Sequence, residues 1–549
     1  MKHAVLAACL ASGAAMAWAG PGLQGPRLGA ASNFGQSWQP QAVAGGAEAG
    51  ILRFRDEIIW NHVEQMDGTL RFGSTREAYA RMLSARDATM TLLGYTGHPR
   101  WDDGRAPQSE EGQAAFARYH AQIVGMFPLI DSLEIGNEFN SHEFAEHEGW
   151  PDDLAERART YVRLALQTVP AVHAERPDLR ILGGAAHSIP VAWAEALMAA
   201  GLGDLIDAFV LHPYTTEPEQ FVRQVARLRQ VPGLEDMPLA VTEFGTRDAG
   251  AAPGYLMRYY CQMALAGVTQ ADWYPFSPRG DGLEPLVDED GALTDTGATY
   301  ALIRTHLEGR PARDVAPDPF TYACAFGPDA LVIWGAPRAV SLSPGLEALD
   351  ATGQPMAAPV LSRTEPLLIL GDGIAPTLDE NVALGVQQVL ADSYDQFPQA
   401  GSADLFLRRG GEGLPLEPRP GQERDGVPWT PYLGFEQDGS VMVGAGWAVP
   451  SAWGPEDPLE IVHRYTAPAD LTLDVEISAR PSSASEDGVS IALERNGEVL
   501  SHDVLTGPRQ LGLTSVNLHA GDVLDVVLGP NGNSAGDHTD LRITLRRAG

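Results

Sequence analysis

Two glutamates in this 549-residue chain each close a short apolar run. Glu138 ends Leu133-Glu134-Ile135-Gly136-Asn137-Glu138, and Glu243 ends Leu239-Ala240-Val241-Thr242-Glu243, ahead of Phe244-Gly245. A carboxylate at the end of a strand is usually a hydrogen-bonded or solvated group. Two of them at the carboxyl ends of strands four and seven of one barrel face each other across it. Carboxyl groups about 5–5.5 Å apart are the pair with which one acid protonates a glycosidic oxygen while the other attacks the anomeric carbon. That division of labour needs two environments. The ionised partner needs donors, which Arg55 and Tyr214 are placed to supply, and the acid needs a less polar pocket beside a negative charge. Further polar or aromatic residues at strand ends are Asn33, Tyr95, Asn137, His212 and Trp273.

The elements that must position these groups are legible as an alternation. Strand-like runs fall at 28–34, 51–55, 89–94, 132–136, 180–183, 208–212, 239–242 and 271–274. Between them lie helical periods at 75–87, 109–127, 152–174, 191–200 and 217–230. Phe116, Tyr119, Ile123 and Phe127 make one apolar stripe, Ser109 before Glu111 is a start signal, and Pro253 opens a later helix. Eight strands alternating with helices predict an α/β fold, a (β/α)8 TIM barrel over 20–310. A doubly wound sheet would carry a Gly-rich phosphate turn after an early strand, and none is present. From 311 to 372 strand runs between Gly, Pro and Asp turns predict a small β-sandwich. Residues 373–390 read as a linker. Alternating strands over 391–549, punctuated by Asn496-Gly497 and Ala520-Gly521-Asp522, predict a β jelly-roll.

Composition narrows the chemistry. Lys+Arg is 38 against Asp+Glu 72, a net charge of −34, which repels nucleic acid and anionic lipid. Lys2 is the only lysine, so Schiff-base, pyridoxal-phosphate and P-loop chemistry are excluded. Lys2, the apolar run Ala4 to Ala17 and Ala17-Trp18-Ala19 form a cleavable signal peptide over 1–19, so the mature chain is expected in the periplasm or outside the cell, with no membrane span. Cys9 leaves with it. Cys261 and Cys324 are then either one disulfide or two buried thiols. The histidines of His142-Glu143-Phe144-Ala145-Glu146-His147 are five apart, the wrong spacing for a zinc helix, and the stretch reads as an acidic loop at a cleft mouth. Asp288-Glu289-Asp290-Gly291 lacks the glycine position of a calcium loop and reads as a turn. No serine elbow surrounds Ser188 or Ser277. Trp429, Tyr432, Trp447 and Trp453 suit either sugar stacking or packing between sheets.

Gly136-Asn137-Glu138 and Thr242-Glu243-Phe244-Gly245 resemble the two signatures of the glycoside hydrolase clan A barrels, and Leu211-His212-Pro213-Tyr214 resembles the strand-six motif of that clan. Arg55-Asp56-Glu57-Ile58-Ile59-Trp60, with Val63-Glu64 and Asp67-Gly68, is similar to the strand-two segment of family 39-type enzymes, including exopolysaccharide glycosidases of biofilm operons. Tyr95, Trp101-Asp102-Asp103-Gly104 and Pro107 continue the similarity, which spans 28–372, while 391–549 is similar to carbohydrate-binding jelly rolls. The resemblance implies Glu138 as acid/base and Glu243 as nucleophile. It implies that Asn137 holds a 2-hydroxyl, that His212 and Tyr214 orient the sugar and the nucleophile, and that Arg55 keeps Glu243 ionised. Tyr95 joins the substrate-binding set, with Trp273 or Tyr274 as the platform beneath the ring. The usual Trp-Asn-Glu-Pro is Gly136-Asn137-Glu138-Phe139 here, which changes the floor on the leaving-group side. The expectation is a secreted, monomeric, retaining and endo-acting glycosidase of a polysaccharide, without cofactor or metal. Two other readings stay open: a polysaccharide-binding protein on a barrel scaffold, and a transglycosylase using the same covalent intermediate.

Overall fold

The computed structural model describes residues 22–145, 150–422 and 427–549. The signal-peptide reading of 1–19 and the last two residues of the His142–His147 stretch, Glu146 and His147, lie outside the described residues. Eight parallel strands close into a barrel in chain order: β1 Arg27–Ala31, β2 Arg53–Asp56, β3 Thr89–Gly94, β4 Ile130–Ile135, β5 Arg180–His187, β6 Ala208–His212, β7 Leu239–Phe244 and β8 Val268–Trp273. β8 returns to pair with β1, so the barrel is closed and has no open edge. Every residue of β3 after Thr89 is buried, as expected of a parallel strand covered on both faces.

The surrounding helices begin where their caps allow. Ser109 Oγ accepts the Gly112 N–H at 3.0 Å and starts Glu110–Met126, whose Phe116, Tyr119 and Ile123 face the barrel core. Asp153 caps Leu154–Glu175 in the same way, and Pro253 sits in the first turn of Ala252–Leu265, where its missing N–H costs no hydrogen bond. Among the described residues, no helix is long and apolar enough to cross a membrane.

A five-stranded antiparallel sheet follows, ordered Leu346–Leu349, Leu367–Gly371, Ala330–Gly335, Thr321–Phe326 and Ala312–Asp314. One face carries Ala323, Leu331, Ile333 and Ile369 into a small core of its own, and the other packs Cys324, Phe326, Val332 and Trp334 against the barrel. The stretch 373–390, expected as a linker, contains a short strand. Val382–Leu384 pairs with Val340–Leu342, and Val382 is buried in the small core. Val389 already begins a strand of the last domain. A three-residue strand between Asn381 and Gly385 shows too little alternation to be read from the chain alone.

Cys261 and Cys324 form a disulfide that ties helix Ala252–Leu265 to strand Thr321–Phe326, with Cα atoms 5.9 Å apart. Because it closes a loop across 63 residues, Cys324→Ala is expected to lower the unfolding free energy by about 2–4 kcal/mol, read as a shift in urea midpoint at unchanged slope.

The C-terminal domain packs an eight-stranded antiparallel sheet on a seven-stranded one in a jelly-roll-like sandwich. In Leu471–Pro481, Leu473, Val475, Ile477 and Ala479 point into its core while alternate residues face out. This domain is anchored to the rest by ion pairs. Arg363 and Arg542 both reach Asp392 and Asp395, and Tyr322 donates to Asp395 at 3.0 Å. The anchoring carries one loop onto the barrel rim. The N–H of Val191 donates to Pro420 O at 3.0 Å, and Asn140 and Gln422 exchange hydrogen bonds at 3.0 and 3.2 Å.

Candidate active site

The carboxyl ends of the strands open into a cavity of about 650 Å³. Two backbone features aim Glu138 into it. Gly136 has φ 85°, and a Cβ there would stand 2.9 Å from the Tyr161 ring. Glu138 itself is held at φ 49°, a left-handed conformation costing about 1–2 kcal/mol for an L-residue. That cost is offset by its contacts: its carbonyl accepts the Ser141 N–H at 2.8 Å and its carboxylate meets two histidines. Strain of this kind concentrates where a side chain must point in one direction.

At the centre is a buried charge network. Arg55, at the end of β2, donates through Nε and Nη2 to both oxygens of Glu134, at 2.8 and 2.7 Å, and through Nη2 to Asn137 Oδ1 at 2.8 Å. Its Nη1 donates to Glu243 Oε1. Tyr214 donates to the other Glu243 oxygen at 2.9 Å. Glu243 therefore has a cationic and a phenolic donor, one on each oxygen. Glu138 is held differently, with His212 Nδ1 at 2.9 Å and His187 Nδ1 at 3.2 Å from its Oε1. The far nitrogen of His212 meets Thr242 Oγ1 at 2.9 Å. The two glutamates converge, since ligand atoms of Glu138, His212 and Glu243 all lie within 4.8 Å of one another.

Burial by itself would raise Glu134 and Glu138. In Glu134 the Arg55 charge and hydrogen bonds outweigh it, and in Glu138 the two histidines do, drawing both down to about 2. Burial would likewise lower His212, but the Glu243 charge and the bonds to Glu134 and Glu138 lift it to about 9. The His212–Glu138 pair thus retains one proton through neutral pH. Among the described residues Asp56, Asp272 and Glu57 have no ion pair, and burial pushes Asp56 to about 6, Asp272 to about 7 and Glu57 to about 8.

The pH dependence of stability follows from these directions. The raised Asp56, Asp272 and Glu57 contribute stability that is full below their unfolded values and declines as pH climbs to about 8, and His212 adds a loss from about 6.5 to 9. The lowered Glu134 and Glu138 contribute stability above about 4.5 that is lost as pH falls toward 2. Thermal melts are expected to give a maximum midpoint at mildly acid pH, with a lower midpoint at pH 8 than at pH 5. A midpoint rising from pH 5 to pH 8 would contradict these assignments.

Glu138 and Glu243 come together with Asn137, Arg55 and Tyr214 in one site, and Tyr95 and Tyr274 line the same cavity. Two expected residues take other places. Trp273 is fully buried, packs edge-on against Phe244 and donates to Glu284 O at 2.8 Å, so it belongs to the barrel wall and not to a sugar platform. His212 is also fully enclosed and lines no part of the cavity; it meets Glu138, Glu134 and Thr242 instead of a sugar or Glu243. Three residues were missed. Glu134 carried a usable signal, a charge inside an apolar parallel strand, which requires a buried cation. His187 was missed because β5 was expected to stop at Gly183, whereas it runs on to pair His187 with His212. Glu57, one residue past β2, also lines the cavity.

Of the four aromatic residues noted in the C-terminal domain, Trp429 reaches the barrel, with its ring 4.7 Å from that of His187. Trp453 packs on Phe435 and beneath Arg409, and Trp447 stacks on His538. Glu138, His212 and Glu243 also have the proximity of a metal-ligand set. Their atoms are already engaged, Glu243 by the Arg55 guanidinium and Tyr214, and His212 by Glu138 and Thr242. A cation would have to displace the arginine that already supplies positive charge there.

No protein-family model and no curated protein matches the sequence. Solved structures match the fold. A family 39 glycoside hydrolase from the gut symbiont Bacteroides cellulosilyticus WH2 superposes with a TM-score of 0.53 at 16% identity, over 63% of this chain and 81% of that one. A GH30 endoxylanase from Clostridium papyrosolvens C71 superposes with a TM-score of 0.50 at 13% identity, over 64% of this chain and 98% of that one. At such identities the likeness is one of fold alone: like these two structures the chain has a closed eight-stranded barrel, and antiparallel β-sheet domains follow it here.

Proposed function

We propose that the protein is a retaining glycoside hydrolase that cleaves a polysaccharide by double displacement, exported from the cell that makes it. The observation that carries the reading is the convergence of Glu138 and Glu243 within 4.8 Å at the ends of β4 and β7, each with a different set of partners. Glu243, gripped by Arg55 and Tyr214, is the nucleophile. Its oxygen attacks the anomeric carbon as the bond to the leaving oxygen breaks, and that oxygen takes the proton held by the His212–Glu138 pair. In the second step a water gives its proton back to that pair and its oxygen to the anomeric carbon, releasing Glu243. Asn137, fixed by Arg55, is oriented to meet the 2-hydroxyl. His212 is a positioning residue acting through Glu138. Export accords with the leader-like sequence of 1–19 and with a disulfide, which persists in oxidising compartments.

The test incubates wild type, Glu138→Gln and Glu243→Gln with an array of bacterial and plant polysaccharides and follows released oligosaccharides by mass spectrometry. Release by wild type alone supports hydrolysis, and the product lengths distinguish endo from exo cleavage. Binding without release, equal in all three proteins, would overturn the reading in favour of a binding scaffold. Sugars transferred to added acceptors would favour the transglycosylase.

A further inference from the structure

The cavity is acidic beyond what its proposed chemistry uses. Asp56, Glu57, Glu138, Glu143, Glu217 and Glu243 border it against three arginines, Arg55, Arg247 and Arg279. Arg55 is already committed to Glu134, Glu243 and Asn137. Glu57 stands out among the acids. It is only 7% exposed, and among the described residues its carboxylate has no ion pair; it is held by neutral donors, the Thr96 hydroxyl and the Thr96 N–H. Asp56 next to it is satisfied by neutral donors, the Ser32 hydroxyl and the Phe34 and Glu57 N–H groups, at 2.6, 2.6 and 2.7 Å. The charged groups that act on Glu57 are Asp56 and Arg55, and the Tyr79, Tyr95 and Tyr119 phenols feel its charge. The contrast with Glu134, Glu138 and Glu243 is direct, since each of those meets an arginine or a histidine. A buried carboxylate without a counter-charge is costly, and a ligand that brings one removes the cost.

We propose that the sugar seated against Glu57 carries a free amino group whose ammonium pairs with the Glu57 carboxylate, so that the substrate class is a glycan containing amino sugars left unacetylated at that position. The word substrate rests on the glycosidase reading; the binding claim does not. A neutral hydroxyl is the competing occupant, met by the protonated acid that burial pushes up to about 8. The two differ in proton balance. Pairing with an ammonium ionises Glu57 and releases a proton below pH 8, whereas a hydroxyl leaves the acid protonated.

The experiment is calorimetric titration of the full chain at pH 7 with glucosamine and galactosamine, their N-acetyl derivatives, and glucose and galactose, in buffers of differing ionisation enthalpy. One amino sugar is expected to bind about 10–100-fold more tightly than its N-acetyl and neutral counterparts, with a proton release that approaches one. In Glu57→Gln the preference and the proton release both disappear. The comparison of ligands in wild type stands even if that variant fails to fold. Equal or weaker binding of both amino sugars, or a preference that survives in Glu57→Gln, overturns the proposal. The polysaccharide array separates the two claims. Amine preference without any glycan cleavage would leave this inference standing and remove the glycosidase reading, and cleavage of neutral or N-acetylated glycans with no amine preference would do the reverse.

Discussion

Glu243→Ala is expected to lower kcat by a factor on the order of 10⁴–10⁶, because the variant has no atom to form the glycosyl-enzyme bond. Azide added to this variant should restore turnover and yield a glycosyl azide of inverted configuration, since it enters from the side the carboxylate vacated. Glu138→Ala is expected to behave differently. Its loss, about 10²–10⁴-fold, should fall on substrates whose leaving oxygen needs a proton, and aryl glycosides with acidic phenols should be largely spared in the first step. Azide should rescue this variant with retained configuration, by intercepting the covalent intermediate. The stereochemical split assigns the roles independently of the rate losses. Losses below tenfold in both variants would place the chemistry elsewhere in the molecule.

Arg55→Met is the second large effect, and it reaches stability as well as rate. Arg55 and Glu134 have side chains 4% and 0% exposed, joined by two hydrogen bonds. Removing one partner of such a pair leaves the other charge buried and uncompensated, costing about 3–5 kcal/mol. Urea unfolding should show this as a lower midpoint at unchanged slope. The double variant Arg55→Met/Glu134→Met should recover much of the stability, because the fully buried Glu134 charge is then no longer left alone, while the partly exposed Glu243 keeps Tyr214 as a donor. It should recover none of the activity, since Glu243 and Asn137 still lack their donor. Recovery of both would mean that Arg55 serves the fold alone.

How much of this was legible in the chain can be judged residue by residue. β3 and β6 were readable to their end residues, because parallel strands covered on both faces are nearly continuous apolar runs bounded by turns. β5 was read only to Gly183; the left-handed Gly184 and Ala185 form an irregularity inside the strand, after which pairing with β6 resumes at Ala186. The strand Val382–Leu384 was invisible, since its pairing partner lies about forty residues away and a three-residue segment carries no periodicity of its own.

The sequence by itself determined the strand-and-helix alternation, and with it the barrel, because hydrophobic periodicity and helix caps are local properties of the chain. It also determined which residue types stand at the strand ends, Glu138 and Glu243 among them. The tertiary structure decided which of those residues meet. It gave Arg55 to Glu134 as well as to Glu243, and His212 to Glu138 and not to a sugar. It enclosed Trp273 in the wall and left Glu57 in the cavity with no ion pair among the described residues. Those outcomes depend on barrel closure, strand register and burial, which bring residues far apart in the chain into one low-dielectric space. Proximity there sets charge and proton affinity, and proximity is not written in local sequence.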